Sequence, residues 1–113
     1  MKLVIAYIKP ERLSPVKRAL AEVGVTRMSV TNALGCGQQL GFPESYRGAE
    51  TEPMLLKKVR LEIAVNETFV ERTVEAITAG ARTGSIGDGV IFLVELAECI
   101  RIRTGETGSP AIG

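Results

Sequence analysis

Thr83-Gly84-Ser85-Ile86-Gly87-Asp88-Gly89 is the part of this chain best suited to chemistry. Its three glycines let backbone N–H groups converge on an anion, as in a phosphate-binding nest. Asp88 would repel a phosphate if its side chain faced inward, so its expected job is to hold the turn. The segment lacks the Gly-Lys-[Ser/Thr] ending of a P-loop, and a plain tight connector explains the glycine spacing equally well.

Arg101-Ile102-Arg103 reads as an extended segment with two guanidinium groups on one side, a fork suited to phosphate oxygens. A solvated edge strand is the competing reading. Lys58 and Arg60 share a strand face in the same way. Glu95 and Glu98 are near in sequence, but nothing requires them to meet in a cleft. Cys99 precedes Arg101, yet a buried structural thiol is the simpler role. Tyr7, Phe69 and Phe92 read as core, whereas Phe42 and Tyr46 lie among polar neighbours and suit contact with a partner.

The chain has 113 residues and no histidine. This excludes Ser-His-Asp and Cys-His catalysis and every histidine metal site. Two cysteines cannot make a four-ligand zinc site, and they allow at most one disulfide. With no signal peptide at the start, reduced thiols and a cytoplasmic location are expected. A net charge of +1 argues against broad attraction to nucleic acid. No apolar run approaches the roughly 20 residues of a spanning helix, so no direct membrane insertion is expected.

The elements that must position these groups follow from periodicity. Residues 3–8 are continuously apolar and read as a strand buried on both faces, ended by Lys9-Pro10. Ser14-Pro15 reads as an N-cap and first helical position. Val16, Ala19, Leu20 and Val23 carry the helix over 14–23, and Gly24 caps it. Residues 27–36 read as a second strand, and 58–65 as a third, with Val59, Leu61 and Ile63 facing inward. Asn66 caps a second helix carrying Phe69, Val70, Thr73, Val74 and Ile77 on one side. Residues 90–94 read as a last strand buried on both faces. Between the second and third strands, residues 37–54 contain Gly37, Gly41, Pro43, Gly48 and Pro53, and loops this long are usually functional or disordered.

The order predicts a single α+β domain over 1–113: a ferredoxin-like βαββαβ fold, with a four-stranded antiparallel sheet and two helices on one face. The other sheet face then lacks a cover, although two strands look apolar on both sides. Another copy of the chain is the simplest cover, so a homo-oligomer is expected.

Three separated segments resemble the PII nitrogen-regulatory signalling proteins: Tyr46-Arg47-Gly48-Ala49-Glu50, the turn 83–89, and Arg101-Ile102-Arg103-Thr104-Gly105-Glu106. Ile8-Lys9-Pro10 and Ala19-Leu20-Ala21-Glu22-Val23-Gly24 add to the likeness, which runs the whole length. The resemblance implies a homotrimer with adenine-nucleotide sites between subunits. It makes 37–54 the effector T-loop, 83–89 the B-loop and 101–106 the C-loop. It also implies a regulator rather than an enzyme, acting through Phe42, Tyr46 and Arg47 on a transporter, channel or enzyme.

By the same resemblance, the nucleotide-site positions are Ser29, Gly35, Gly37, Gln38, Gln39, Glu62, Ala64, Gly87, Asp88, Gly89, Arg101 and Arg103. Gln39 matches the residue that helps hold magnesium, when MgATP binds, together with 2-oxoglutarate. Lys58 matches the residue that pairs with the effector carboxylate. Gln38 stands where the family usually has arginine, and Ser85 and Val90 where it has lysines. Losing these cations weakens the hold on the outermost phosphate, so ADP or AMP is expected to bind at least as well as ATP. Leu40 replaces a lysine, and Thr51 replaces the tyrosine that many relatives uridylylate. The expected protein is a PII-like sensor whose effector is bicarbonate, in a carbon-linked role, or 2-oxoglutarate. A standard nitrogen-regulatory PII sensing ATP, ADP and 2-oxoglutarate is the alternative. More distant readings are a small acylphosphatase-like enzyme, which would need an arginine-lined phosphate loop, and a purely structural trimer.

Overall fold

The computed structural model describes residues 1–36 and 55–113. Strand β1 (Lys2–Ile8) leads through a 3-10 turn (Pro10–Arg12) into helix α1 (Leu13–Glu22). Strands β2 (Ser29–Gly35) and β3 (Leu56–Val65) precede helix α2 (Glu67–Ala81). Strand β4 (Val90–Glu95) and a short helix α3 (Ser109–Ile112) complete the order. The sheet runs β2-β3-β1-β4 with every neighbouring pair antiparallel. This is the expected ferredoxin-like α+β arrangement.

Strand alternation sorts β1 and β3 into two faces. Val4, Ala6 and Ile8 pack with Val59, Leu61, Ile63 and Val65 beneath Val16, Leu20, Ala76 and Ile77 of the two helices. The helices approach closely at Gly80, where a Cβ would lie 2.7 Å from the Val16 Cα. Helix α1 ends as expected at Gly24 (φ +82), with Val25 N–H donating to the Leu20 carbonyl and Gly24 N–H to that of Ala21. This double bond pattern is a Schellman cap.

Two helix starts differ from expectation. Helix α1 begins at Leu13, and Ser14 is not its cap. Pro10 starts the helical path earlier, in the 3-10 turn, and the Arg12 guanidinium fastens that turn by donating from Nε to the Gly80 carbonyl (2.9 Å). Asn66 does occupy the N-cap position of α2, but its side chain caps nothing. Its amide instead exchanges hydrogen bonds with Ser109, through Ser109 Oγ–H to Asn66 Oδ1 (2.6 Å) and Asn66 Nδ2–H to the Ser109 carbonyl (3.3 Å). The cap side chain therefore ties down the C-terminal segment.

The first and last strands also differ from the expected burial. Strand β4 is an edge, and Val90, Phe92, Leu93 and Val94 are each close to half exposed. Leu3, Ile5 and Tyr7 of β1 are only half-buried. Both helices lie on one face, so within one chain no layer covers the other. That second face presents Leu3, Ile5 and Tyr7 beside their register partners Val94, Phe92 and Val90. Tyr7 and Phe92 meet edge to face there, with ring centroids 6.4 Å apart, and so are not core residues of the single chain.

Candidate functional site

The glycine-rich turn is built around Asp88. Its carboxylate accepts from the backbone N–H groups of Thr83 and Gly84 (2.8 Å each) and from the Thr83 hydroxyl. Lys9, at the end of β1, closes the arrangement with an ion pair to Asp88 (3.2 Å) and a hydrogen bond to Thr83 Oγ1 (3.1 Å). The Thr83 hydroxyl, then backbone donors and Lys9, hold the Asp88 carboxyl well below the usual carboxylate range. Asp88 thus braces the turn, as its sequence context suggested.

Gly84, Gly87 and Gly89 all take positive φ, which lets the chain turn sharply and re-enter the sheet at Val90. Lys58 reaches this turn from β3 and donates from Nζ to the Gly87 carbonyl (2.6 Å). Gly35, at the end of β2, leaves room for the Lys58 stem: a Cβ there would lie 3.3 Å from Lys58 Cγ. Gly35, Lys58, Gly87, Asp88 and Gly89 therefore gather at one end of the sheet, with Lys9 among them.

A second group lies toward the other end. Ser29 pairs in register with Glu62, and Ala64 follows on the same strand face. Glu62 is engaged by Arg60 (2.8 Å), whose guanidinium carbon sits 6.0 Å from the Tyr7 ring centre. The tail that follows β4 starts from this end, and the Leu96 N–H donates to the Met1 carbonyl there.

Arg101 and Arg103 do not share one side of an extended segment. Residues 102–104 form a turn, tightened by the Gly105 N–H bond to the Arg101 carbonyl (2.7 Å). Strand alternation does not apply in a turn. Arg101 points back to the Ala111 carbonyl (3.1 Å), with Glu106 3.9 Å away. Arg103 is exposed and has no hydrogen-bond or ion-pair partner among the described residues. Ile102 between them is 99% exposed.

One chain therefore holds two separate groups. Register places Tyr7 opposite Val90 and Lys2 opposite Glu95, five residues along. At strand rise that is about 17 Å between the glycine turn and the root of the arginine tail. Gly37, Gln38, Gln39, Phe42, Tyr46 and Arg47 lie outside the described residues, as do Leu40 and Thr51. The potential metal residue Gln39 is among them, and no cluster of three His, Cys, Asp or Glu side chains suited to a metal occurs among the described residues. Cys36 and Cys99 are both free thiols. Glu95 bonds Lys2, while Glu98 accepts from the Cys99 and Gly108 N–H groups, so these two carboxylates serve separate local contacts.

Lys9 was missed in the site reading of the sequence. The sequence shows Lys9 only as the end of a strand and part of the family resemblance, because its contact with Asp88 is tertiary and leaves no local spacing. The docking of the tail by Asn66 and Arg101 was missed for the same reason.

The family model described as nitrogen regulatory protein P-II matches residues 1–106. A nitrogen regulatory protein P-II of Bradyrhizobium diazoefficiens is 51% identical over 112 residues, covering 99% of this chain and 100% of the relative. One from Azospirillum brasilense is 50% identical with the same coverage. Nitrogen regulatory protein P-II 1 of Methanothermobacter thermautotrophicus is 49% identical, covering 99% of this chain and 97% of the relative. Matches of this length and identity span both groups of site residues and the segment between β2 and β3. The chain belongs to the P-II nitrogen regulatory protein family.

Proposed function

We propose that this chain is a signalling subunit that assembles as a homotrimer and binds adenine nucleotides in clefts between copies. The observation that carries this reading is the separation, by the length of the sheet, of the glycine turn and Lys58 from the root of the tail that carries Arg101 and Arg103. Within one chain the two halves do not face one ligand. A second copy packed on the uncovered sheet face would bring the arginine tail of one subunit toward the turn of the next. The apolar row Leu3, Ile5, Tyr7, Val90, Phe92 and Val94 supports such packing.

In this reading the turn at 83–89 is the B-loop and supplies backbone donors to the phosphates. Ser29, Glu62 and Ala64 flank the base, while Arg101 and Arg103 reach the phosphates from the neighbour. Gly35, Gly37, Gln38 and Gln39 lead from the site into the T-loop, residues 37–54, through which a target protein is regulated. Ser85 and Val90 carry no charge, so the outermost phosphate gains less than the inner ones. ADP and AMP then bind at least as well as ATP. Lys58 holds the effector anion, bicarbonate in a carbon-linked role. Thr51 cannot be uridylylated on a tyrosine hydroxyl, so regulation runs through ligand occupancy in the cytoplasm.

The relatives are named nitrogen regulatory proteins, which favours a second reading with ATP, magnesium and 2-oxoglutarate bound together. Both readings make the protein a regulator, as members of this family are signal transducers. No described helix is long and apolar enough to cross a membrane, so a membrane target would be met through the T-loop. Calorimetry with ATP, ADP and AMP, each with and without 2-oxoglutarate or bicarbonate, separates the two. The first reading expects ADP to match or exceed ATP and 2-oxoglutarate to change nothing. Strong ATP preference enhanced by 2-oxoglutarate overturns it in favour of the second.

A further inference from the structure

We propose that Asn66 and Ser109 are positioning residues for the nucleotide site: they anchor helix α3 so that its Ala111 carbonyl aims the Arg101 guanidinium at phosphate on the neighbouring copy. The inference rests on the nucleotide reading above. Its ground is the use to which the Asn66 side chain is put. Asparagine is among the strongest N-cap residues, because its side-chain oxygen can accept a backbone N–H of the first helical turn. Asn66 stands at the N-cap of α2 and makes no such bond. Its oxygen accepts from Ser109 Oγ–H (2.6 Å), and its Nδ2 donates to the Ser109 carbonyl (3.3 Å). Both ends of the amide are thus given to the tail, 43 residues along the chain.

The anchor reaches Arg101 through α3. Ser109 is the first residue of that helix, and the Ala111 N–H donates back to the Gly108 carbonyl (3.0 Å). Ala111 is buried, and its carbonyl accepts from Arg101 Nη2 (3.1 Å). Arg27 Nη1 donates to the next carbonyl, of Ile112 (3.4 Å), so a second guanidinium holds the same end of α3. The Arg101 backbone is fixed separately, its N–H donating to the Glu106 carbonyl (2.9 Å). The turn therefore sets where the Arg101 side chain starts, and α3 sets where it points. A guanidinium has five N–H donors. Ala111 takes one, and Glu106 at 3.9 Å is too far to take another. The fork left over is oriented before any ligand arrives, so binding need not order a long side chain. Arg103, in the same tail, has no such hold among the described residues.

The test is calorimetry with ADP on the intact protein, for the parent, Asn66→Ala, Ser109→Ala and Ser109→Thr, with Asn66→Ala repeated in an Arg101→Ala background. Asn66→Ala removes no side-chain cap bond from α2, so it cuts the tether alone. Freeing one arginine side chain predicts that Asn66→Ala and Ser109→Ala each weaken ADP roughly three- to tenfold. Ser109→Thr keeps the hydroxyl and should stay within about twofold of the parent. In the Arg101→Ala background, Asn66→Ala should cost less than about twofold more, because the tether then has nothing to aim. A lower melting temperature with unchanged ADP affinity would make the tether a plain structural brace, and a full further loss in the Arg101→Ala background would mean that it acts elsewhere; either result overturns the proposal. Order of the Arg101 side chain, read without nucleotide from NMR relaxation of its Nε–H, should fall in Asn66→Ala, and unchanged order overturns the tether itself. If the order falls but the parent binds no nucleotide, the nucleotide reading is what fails, and the proposed role goes with it.

Discussion

Gly84 and Gly89 bracket the turn and both have positive φ, +88 and +109, yet their surroundings differ sharply. A Cβ at Gly84 meets nothing within 4 Å. A Cβ at Gly89 would lie 1.7 Å from the Tyr7 carbonyl oxygen and 2.8 Å from its carbon. Alanine at Gly84 therefore carries only the left-handed backbone cost, roughly 1–2 kcal/mol. Alanine at Gly89 adds an overpacking cost of roughly 1–3 kcal/mol. The obstacle is strand backbone, which cannot rotate aside as a side chain would. Residue 89 must lift, and the Tyr7–Val90 pair opens with it. The sum, about 2–5 kcal/mol, is a large share of the roughly 5–15 kcal/mol that holds a domain folded. Urea unfolding at one fixed protein concentration is the assay, since assembly would otherwise shift the midpoint by mass action. With a slope of about 1–3 kcal/mol per molar urea, Gly89→Ala should unfold on the order of 1 M below Gly84→Ala. Amide exchange should rise at Val90 and Ile91. Equal midpoints for the two variants would refute the steric reasoning.

Lowering the pH tests the brace. The Asp88 carboxyl is depressed, so its contribution is present above the ordinary value of about 3.9 and is lost only as pH falls through the depressed one. Thr83→Ala removes the largest cause, and opening of the turn, read by exchange of the Gly84 N–H, should move up toward about pH 4; no upward movement contradicts the assignment. Phe92→Asp places a charge on the uncovered sheet face and should reduce a trimer to monomer in light scattering at micromolar concentration, and an unchanged mass rules out that face as the interface. The two arginines should separate by phenotype. Arg103→Ala is expected to weaken ADP roughly tenfold or more without lowering the melting temperature, because its guanidinium has no partner within the described chain. Arg101→Ala should lower both, because it gives up the Ala111 carbonyl. Identical behaviour of the pair would contradict that division.

The strands and helices were legible where burial has a period. Val59, Leu61 and Ile63 alternate because one face of β3 meets the helices, and they are buried as their spacing indicates. Gly24 marked a helix end because the left-handed cap admits few other residues. Helix starts were less legible, since Ser14 and Asn66 have the right chemistry for caps while tertiary contacts decide what their neighbours do. Pro10 draws the first helix forward, and Ser109 draws the Asn66 amide away. The apolar run 90–94 predicted burial on both faces, and within the single chain four of its five residues are instead close to half exposed. It could not say whether the cover came from the same chain, and within this chain β4 is an edge.

For the site, sequence exposed the glycine turn and the arginines but not their relation. Asp88 could be assigned to the turn because its partners Thr83 and Gly84 are local. Lys9 and Lys58 converge on the same turn from two other strands, and no spacing along the chain encodes that meeting. The arginines raise the opposite difficulty: motif resemblance puts them in one site with the turn, whereas register sets the root of their tail, at Glu95, about 17 Å away at the far end of the sheet. A single subunit thus carries the glycine turn with Lys9 and Lys58 at one end of the sheet, and, on the tail that leaves the other end, an Arg103 side chain with no partner among the described residues. If these halves combine only across an interface, occupancy and assembly become linked, because a ligand that binds the assembled state stabilises it in proportion to ligand concentration over its dissociation constant. In the proposed assembly, nucleotide would then tighten the contact between the glycine turn and Lys58 of one copy and the arginine tail of the next.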